Sequence, residues 1–218
     1  LMPQYFGRLP KAPCDIRRLP KAIEAGAPRG YYQSPALDGS RPAAYYINLR
    51  DTAEWPKFAL PTLTYHEAVP GHHFQIALQQ EKTDTPLVLK ILGFSAYTEG
   101  WGLYAEQLAD EIGVYENDPF GQIGYLQSLM FRAARLVVDS GLHHKRWSRE
   151  QGIRYMVDTL GDQESSVATE VERYCVWPGQ ASSYKVGHTV WVNLREEAKQ
   201  RLGARFDLKA FHDKGLDL

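Results

Sequence analysis

Three of the chain's seven histidines fall within eight residues, in the segment Thr64-Tyr65-His66-Glu67-Ala68-Val69-Pro70-Gly71-His72-His73-Phe74. Imidazole and carboxylate together form the donor set of zinc hydrolases. Their H-E-x-x-H helix places two histidines one turn apart and turns the glutamate beside the first one towards the attacking water. Here the spacing does not suit an unbroken helix. His72 would sit ~9 Å along the axis from His66 and about 120° off its face. His73 would return to that face but ~10.5 Å away, too far for two nitrogens each ~2.1 Å from one ion. Pro70-Gly71 offers the remedy. A proline cannot donate to the carbonyl four residues back, here that of His66, and its ring forces a kink. Glycine can then take a conformation closed to other residues. The helix is expected to bulge by two residues and return a later histidine to His66. His72 is the first choice for that second ligand and His73 the alternative; whichever is not used would lie behind the ligands or beside the substrate.

A hydrolytic zinc needs a third protein ligand and one open position. Thr98-Glu99-Gly100-Trp101-Gly102-Leu103-Tyr104-Ala105-Glu106 supplies a candidate in Glu99, 27 residues after His72. That distance lets one helix end, a loop turn and a second helix return alongside. Gly100 and Gly102 flank Trp101 with minimal bulk, which permits a close approach. Glu106, two turns on from Glu99, is placed to hydrogen-bond a ligand histidine. Taken singly, a His-Glu pair is usually surface chemistry and a lone glutamate a buried hydrogen-bonder. The combination with a helix-breaker points to a metal site. Arg132, Arg135, Asp139 and His143 recur at three- and four-residue spacing on one helix face. Such a row reads first as a buried ion-pair network, and second as a means to orient a ligand or bind a substrate carboxylate. His143-His144 also suits a cationic helix end.

The elements that must position these groups are mainly helical. Residues 1–30, with prolines at 3, 10, 13, 20 and 28, read as an irregular lead-in with a helical turn near 19–25. Aromatic and β-branched residues on either side of Asp38-Gly39 predict a hairpin or two short strands over 31–50, including 44–49. From residue 61 to 218 the period is helical. Helices are expected over 61–80 with the kink, 86–92, 95–113, 119–141, 149–160, 163–176 and 181–202, and a last one from 207. Asp118-Pro119 and the capping-box pattern Ser148-Arg149-Glu150-Gln151 mark two of the starts. The fold class is mainly α, a helical domain with a small β hairpin or edge strand near the N-terminus.

Composition narrows the function. Lys and Arg number 25 against 26 Asp and Glu, a net charge of -1, in 218 residues that are 44% hydrophobic. No polybasic field argues for nucleic acid, and no apolar run approaches the ~20 residues of a transmembrane helix. Two cysteines, Cys14 and Cys175, make neither a disulfide framework nor a thiolate zinc site, and one is expected to be a small buried side chain. The chain opens on Leu1-Met2-Pro3-Gln4-Tyr5 without a signal-peptide pattern and closes on Gly215-Leu216-Asp217-Leu218. It reads as one domain, the C-terminal catalytic portion of a longer protein, whose N-terminal half is then an expected partner. Compartment is left unassigned.

The pair H-E-A-V-P-G-H-H and T-E-G-W-G-L-Y-A-E closely resembles the bacterial family catalogued as domain of unknown function 885. So do Asp38-Gly39-Ser40-Arg41-Pro42, Tyr46-Ile47-Asn48-Leu49, the stretch Val137 to His143 and the stretch Trp177 to Gly187. The family looks like a distant branch of the gluzincin metallopeptidases. The resemblance implies a zincin-like helical domain, one zinc per chain held by His66, His72 and Glu99, and Glu67 as general base acting on a peptide substrate. Gluzincins similar to this one stabilise the oxyanion with a tyrosine or histidine from a later helix. Tyr184, just after the break Pro178-Gly179-Gln180, is the first candidate, with Tyr174 and His188 behind it. Strand 44–49 resembles the edge strand on which zincins lay an extended substrate. Zinc suits the donor set, though Co, Mn or Fe are chemically compatible. The expected activity is peptide hydrolysis. A metal-dependent amidase or esterase is the alternative, and a non-catalytic helical module that binds metal or a partner is the third.

Overall fold

The computed structural model describes residues 1–50, 52 and 56–217. Ten α-helices and three strands make up the regular structure of the described residues, apart from short 3-10 turns. The expectation of a mainly helical chain with a small N-terminal β element is met.

The sheet has the order β1-β3-β2. Strand β3 (Ala43–Ile47) runs parallel to β1 (Cys14–Arg18) and antiparallel to β2 (Gly30–Gln33). Tyr45 lies opposite Ile16 on one side and Tyr32 on the other. Two expectations need correction here. The 44–49 segment is not an edge strand, since β3 is paired on both sides and buried at Ala43, Ala44 and Tyr45. The lead-in is not wholly irregular either, because Cys14–Arg18 is a strand. Its sequence Cys-Asp-Ile-Arg-Arg alternates over only two apolar residues, too short a signal for a strand, and its outer half is exposed. Only pairing with a partner about 30 residues away makes it one. Neither cysteine is buried: Cys14 is half-buried and Cys175 exposed.

The expected 61–80 helix is two helices, α2 (Leu60–Glu67) and α3 (His72–Glu81). Between them the backbone leaves the helical region at Ala68 (φ -101°, ψ -109°). Helix α4 (Leu87–Ile91) is short, and α5 (Ser95–Glu111) and α6 (Pro119–His143) are long. Asp118 caps α6 by accepting from the Gly121 amide, with Pro119 in the first turn. Helix α7 (Arg149–Leu160) opens on the full reciprocal capping box of Ser148 and Gln151 and closes on left-handed Gly161. Helices α8 (Glu164–Val176), α9 (Gln180–Leu202) and α10 (Leu208–Gly215) complete the chain, with α1 (Met2–Tyr5) near its start.

Two apolar clusters fix how these helices sit. Phe74 and Leu78 of α3 pack with Trp101, Tyr104 and Leu108 of α5, Trp191 of α9, Phe6 and Leu216. Here the two ends of the chain meet: His212 of α10 hydrogen-bonds the Tyr5 carbonyl through Nδ1 and the Tyr104 hydroxyl through Nε2. The second cluster joins Val138 of α6, Ile153 and Met156 of α7, Val167, Val171 and Tyr174 of α8, and Ala181. Fully burying each such side chain contributes roughly 1.5–3 kcal/mol. Helix α9 contributes to both clusters, through Trp191 and Ala181.

Candidate metal centre

Helix α2 ends at Glu67 and hands the chain to α3 through Ala68, Val69, Pro70 and Gly71, with the Val69–Pro70 peptide cis. Pro70 has no N–H for the His66 carbonyl, so the α-helical ladder stops there. A Cβ at position 71 would fall on that same carbonyl oxygen, so only glycine fits. The Trp101 indole donates to the Pro70 carbonyl at 2.8 Å and ties the link to α5.

This turn brings His66 and His72 together, their rings 4.6 Å apart at 80°. Glu99 of α5 completes the group. Its Oε2 lies 3.4 Å from His66 Nε2 and 3.2 Å from His72 Nε2. One ligand atom from each of the three lies within 4.8 Å of the others. His73, the alternative, turns away and places Nδ1 3.2 Å from the Tyr32 hydroxyl of β2.

Whether these residues fit a zinc ion can be tested on their own geometry. Atoms each ~2.1 Å from a tetrahedral ion lie about 3.4 Å from one another, close to the two separations from Glu99. Glu99 Oε2 is buried, yet it hydrogen-bonds neither imidazole in spite of those distances. Three potential ligand atoms that converge, with Glu99 Oε2 buried and without a hydrogen-bond partner, suit a shared cation. His/His/Glu is one of the donor sets of catalytic zinc sites. The group fits.

The surroundings brace it. Glu106, on α5 two turns below Glu99, accepts from His66 Nδ1 at 2.8 Å. Its other oxygen accepts from Thr62 Oγ1 at 2.5 Å and from Ser128 Oγ, while Arg132 Nη2 lies 3.6 Å from the first. Burial disfavours the Glu106 carboxylate, but Arg132 and His66 outweigh it and hold its pKa below the usual range. Burial likewise opposes a charged His66, yet the hydrogen bond to Glu106 and the nearby Glu99 carboxylate raise its pKa to about 9. A cation at Nε2 competes with that proton for one lone pair. For Glu99, burial is overcome by the two histidines, and its pKa lies well below the ordinary carboxylate value. Gly102 makes room for the pairing, since a Cβ there would come within 2.6 Å of the His66 ring. Gly100 serves a different contact, with Gly187 of α9.

Glu67 follows His66 at the end of α2, mostly buried, with no hydrogen bond or ion pair among the described residues. Tyr184 of α9 lies on the other flank, its ring stacked on His66 at 6.0 Å and 18°. The Arg135 guanidinium sits 4.1 Å from the Tyr184 ring centroid. Burial first, then the charge of Glu99, raises the Tyr184 pKa in spite of Arg135, so the phenol keeps its proton. Gln180 joins these parts. Its Nε2 donates to Glu99 Oε1 and to the Tyr184 hydroxyl, both at 3.2 Å, and its Oε1 accepts from Arg135 Nη2 at 3.3 Å.

Three other candidates stand apart. Tyr174 donates its hydroxyl to Glu170 at 2.9 Å. His143 places Nε2 2.9 Å from the Tyr174 carbonyl and 3.5 Å from Asp139. Asp139 itself caps α9 from across the bundle through the Gly179 and Ser182 amides. His188 pairs with Gln107 at 2.6 Å and Lys185 at 3.0 Å rather than with Glu99. Sequence reasoning missed Thr62 and Ser128. Thr62 stands one helical turn before His66, a readable signal, whereas nothing local marks Ser128.

No curated protein matches the chain, and no described helix is long and apolar enough to cross a membrane. Solved structures similar to the chain include two of proteins described as a "putative lipoprotein". The one from Colwellia psychrerythraea is 54% identical with a TM-score of 0.96, over 99% of this chain and 37% of that one. The one from Shewanella oneidensis is 28% identical with a TM-score of 0.81, over 97% of this chain and 39% of that one. The chain thus spans well under half the length of either. The family described as "Bacterial protein of unknown function (DUF885)" matches across residues 1–218, and the chain belongs to that family.

Proposed function

We propose that this chain carries the centre of a zinc-dependent peptidase related to the gluzincins. The observation that carries the reading is the convergence of His66 Nε2, His72 Nε2 and Glu99 Oε2, with a free glutamate beside the first. His66, His72 and Glu99 would hold the ion. When bound, zinc lowers the pKa of a ligated water towards ~7 and polarises a carbonyl. Glu67 takes a proton from the water as its oxygen bonds the carbonyl carbon, then delivers that proton to the nitrogen as the C–N bond breaks. Tyr184 donates its hydroxyl hydrogen to the carbonyl oxygen, where negative charge develops. Its hydroxyl oxygen accepts from Gln180, which leaves the O–H free for this task.

Elemental analysis and peptide hydrolysis test the reading together. Wild type should bind one zinc per chain. Glu67→Gln should keep that zinc while turnover falls by ~10²–10⁴-fold, the usual contribution of a positioned general base. Normal turnover by Glu67→Gln, or less than a tenth of a zinc per wild-type chain after reconstitution, would overturn it.

A further inference from the structure

A cleft of about 680 Å³ opens directly beside Glu99. One wall is the start of α5 (Ser95, Ala96) with Gly93. The facing wall is Trp177, Pro178 and Gln180, where α8 passes to α9. Its size is that of ligand sites, which run to roughly 300–1,000 Å³. Among the described residues, Glu99 is the only charged group lining it. That carboxylate is committed, with Oε1 accepting from Gln180 and Oε2 facing the two imidazoles. A charged side chain entering here would lose water and meet no free counter-ion, and an acidic one would meet Glu99 as a like charge.

The apolar content points the other way. Trp177 is 58% exposed beside the polar centre, and its neighbour Val176 is 82% exposed. Phe94, beside the lining residue Gly93 in sequence, is 71% exposed. A large apolar side chain left open on the wall of a concavity, with further exposed apolar residues next to the lining in sequence, marks a binding surface.

Resting on the peptidase reading, we propose that this cleft receives an uncharged apolar or aromatic side chain of the substrate next to the scissile bond. Trp177 is its main contact and Ala96 the opposing wall. The surface is continuous with Glu99, so a backbone whose carbonyl lies at the centre extends its neighbouring side chain into the cleft. Gly93, Ser95 and Ala96 supply depth by their small size, and Trp177 supplies area.

The test separates selectivity from catalysis. Zinc-reconstituted Glu67→Gln protein is titrated with blocked tetrapeptides that differ at one position, scanned through each, carrying Phe, Leu, Asp or Lys. At one position the Phe and Leu forms should bind at least tenfold tighter than the Asp and Lys forms. Trp177→Ala, which opens the cleft, and Ala96→Trp, which fills it, should each abolish that preference while zinc content stays unchanged. Both positions are exposed, so the fold should survive. The Lys arm guards against a cation–π site on the indole, which would favour Lys. Equal binding of all four residues, tight binding of the Lys form, a preference that survives both variants, or no binding of any peptide would each overturn the proposal. Selective binding without cleavage by the wild type would instead sink the peptidase reading, with its scissile bond, and leave the cleft as a binding site for an uncharged apolar side chain.

Discussion

The two imidazoles of the centre are held in unlike ways. His66 is braced from behind: Glu106 takes its Nδ1, and Thr62, Ser128 and Arg132 hold Glu106. Its ring is confined by Gly102 on α5 and Tyr184 on α9. His72 has no such support. Its Nδ1 is buried with no hydrogen-bond partner among the described residues, and its position depends on the backbone break before α3. One side of the centre is thus set by a polar network and the other by chain geometry. The network should resist small changes and fail only when its hub is removed, whereas the turn should fail on a single added methyl.

Removing the hub gives the largest effect. Glu106→Ala strands His66, Arg132 and two hydroxyls in a buried site, and should cost ~3–5 kcal/mol of stability by analogy with broken buried pairs. Zinc affinity should fall ~10–100-fold, as for other lost partners of ligand histidines. Denaturant unfolding and chelator competition would check both, and unchanged affinity would show that His66 needs no brace. Next comes the turn. Gly71→Ala sets a methyl against the His66 carbonyl, and backbone cannot step aside as a side chain can. A loss of roughly 1–3 kcal/mol is expected, with zinc content falling as His72 swings away from Glu99; a full complement of zinc would show that the turn tolerates relaxation.

A histidine outside the centre sharpens the contrast. Burial, and then the nearby Lys185, lowers the His188 pKa to about 4, the opposite of His66. An unfolded histidine takes up a proton below ~6.5. Between about pH 6.5 and 4 the unfolded chain therefore binds more protons at this position, so stability falls as pH falls through that window. The contribution should be ~3 kcal/mol, and His188→Gln should flatten that part of the stability profile relative to wild type; parallel profiles would refute the assignment. The smallest change is Ser128→Ala, which removes one of the donors to Glu106. It should cost ~0.5–1.5 kcal/mol and weaken zinc much less than Glu106→Ala does.

Much of this organisation is legible in particular residues. Asp118-Pro119 and Ser148 to Gln151 start helices where their hydrogen-bonding groups predict, because caps act within one turn. The break at Pro70-Gly71 is equally local. The β element was legible only in part. Tyr31, Tyr32 and residues 43–47 carry β propensity of their own, but Cys14–Arg18 does not, and strand identity there comes from pairing. The same limit holds at the centre. The two-residue bulge favours His72 as the residue that meets Glu99, but nothing in the order His72-His73 fixes that choice or turns His73 to Tyr32.

The sequence by itself determined the chemical types, the helix ends and the interruption between His66 and His72, all of which follow from a residue's own hydrogen-bonding and steric properties. Tertiary structure alone decided which histidine meets Glu99, that Ser128 reaches Glu106, and that Trp177 faces Ala96 across a cleft. Those are contacts between residues from about 20 to 80 positions apart. They exist only once the apolar clusters around Trp101 and Met156 have locked the helices at their crossings.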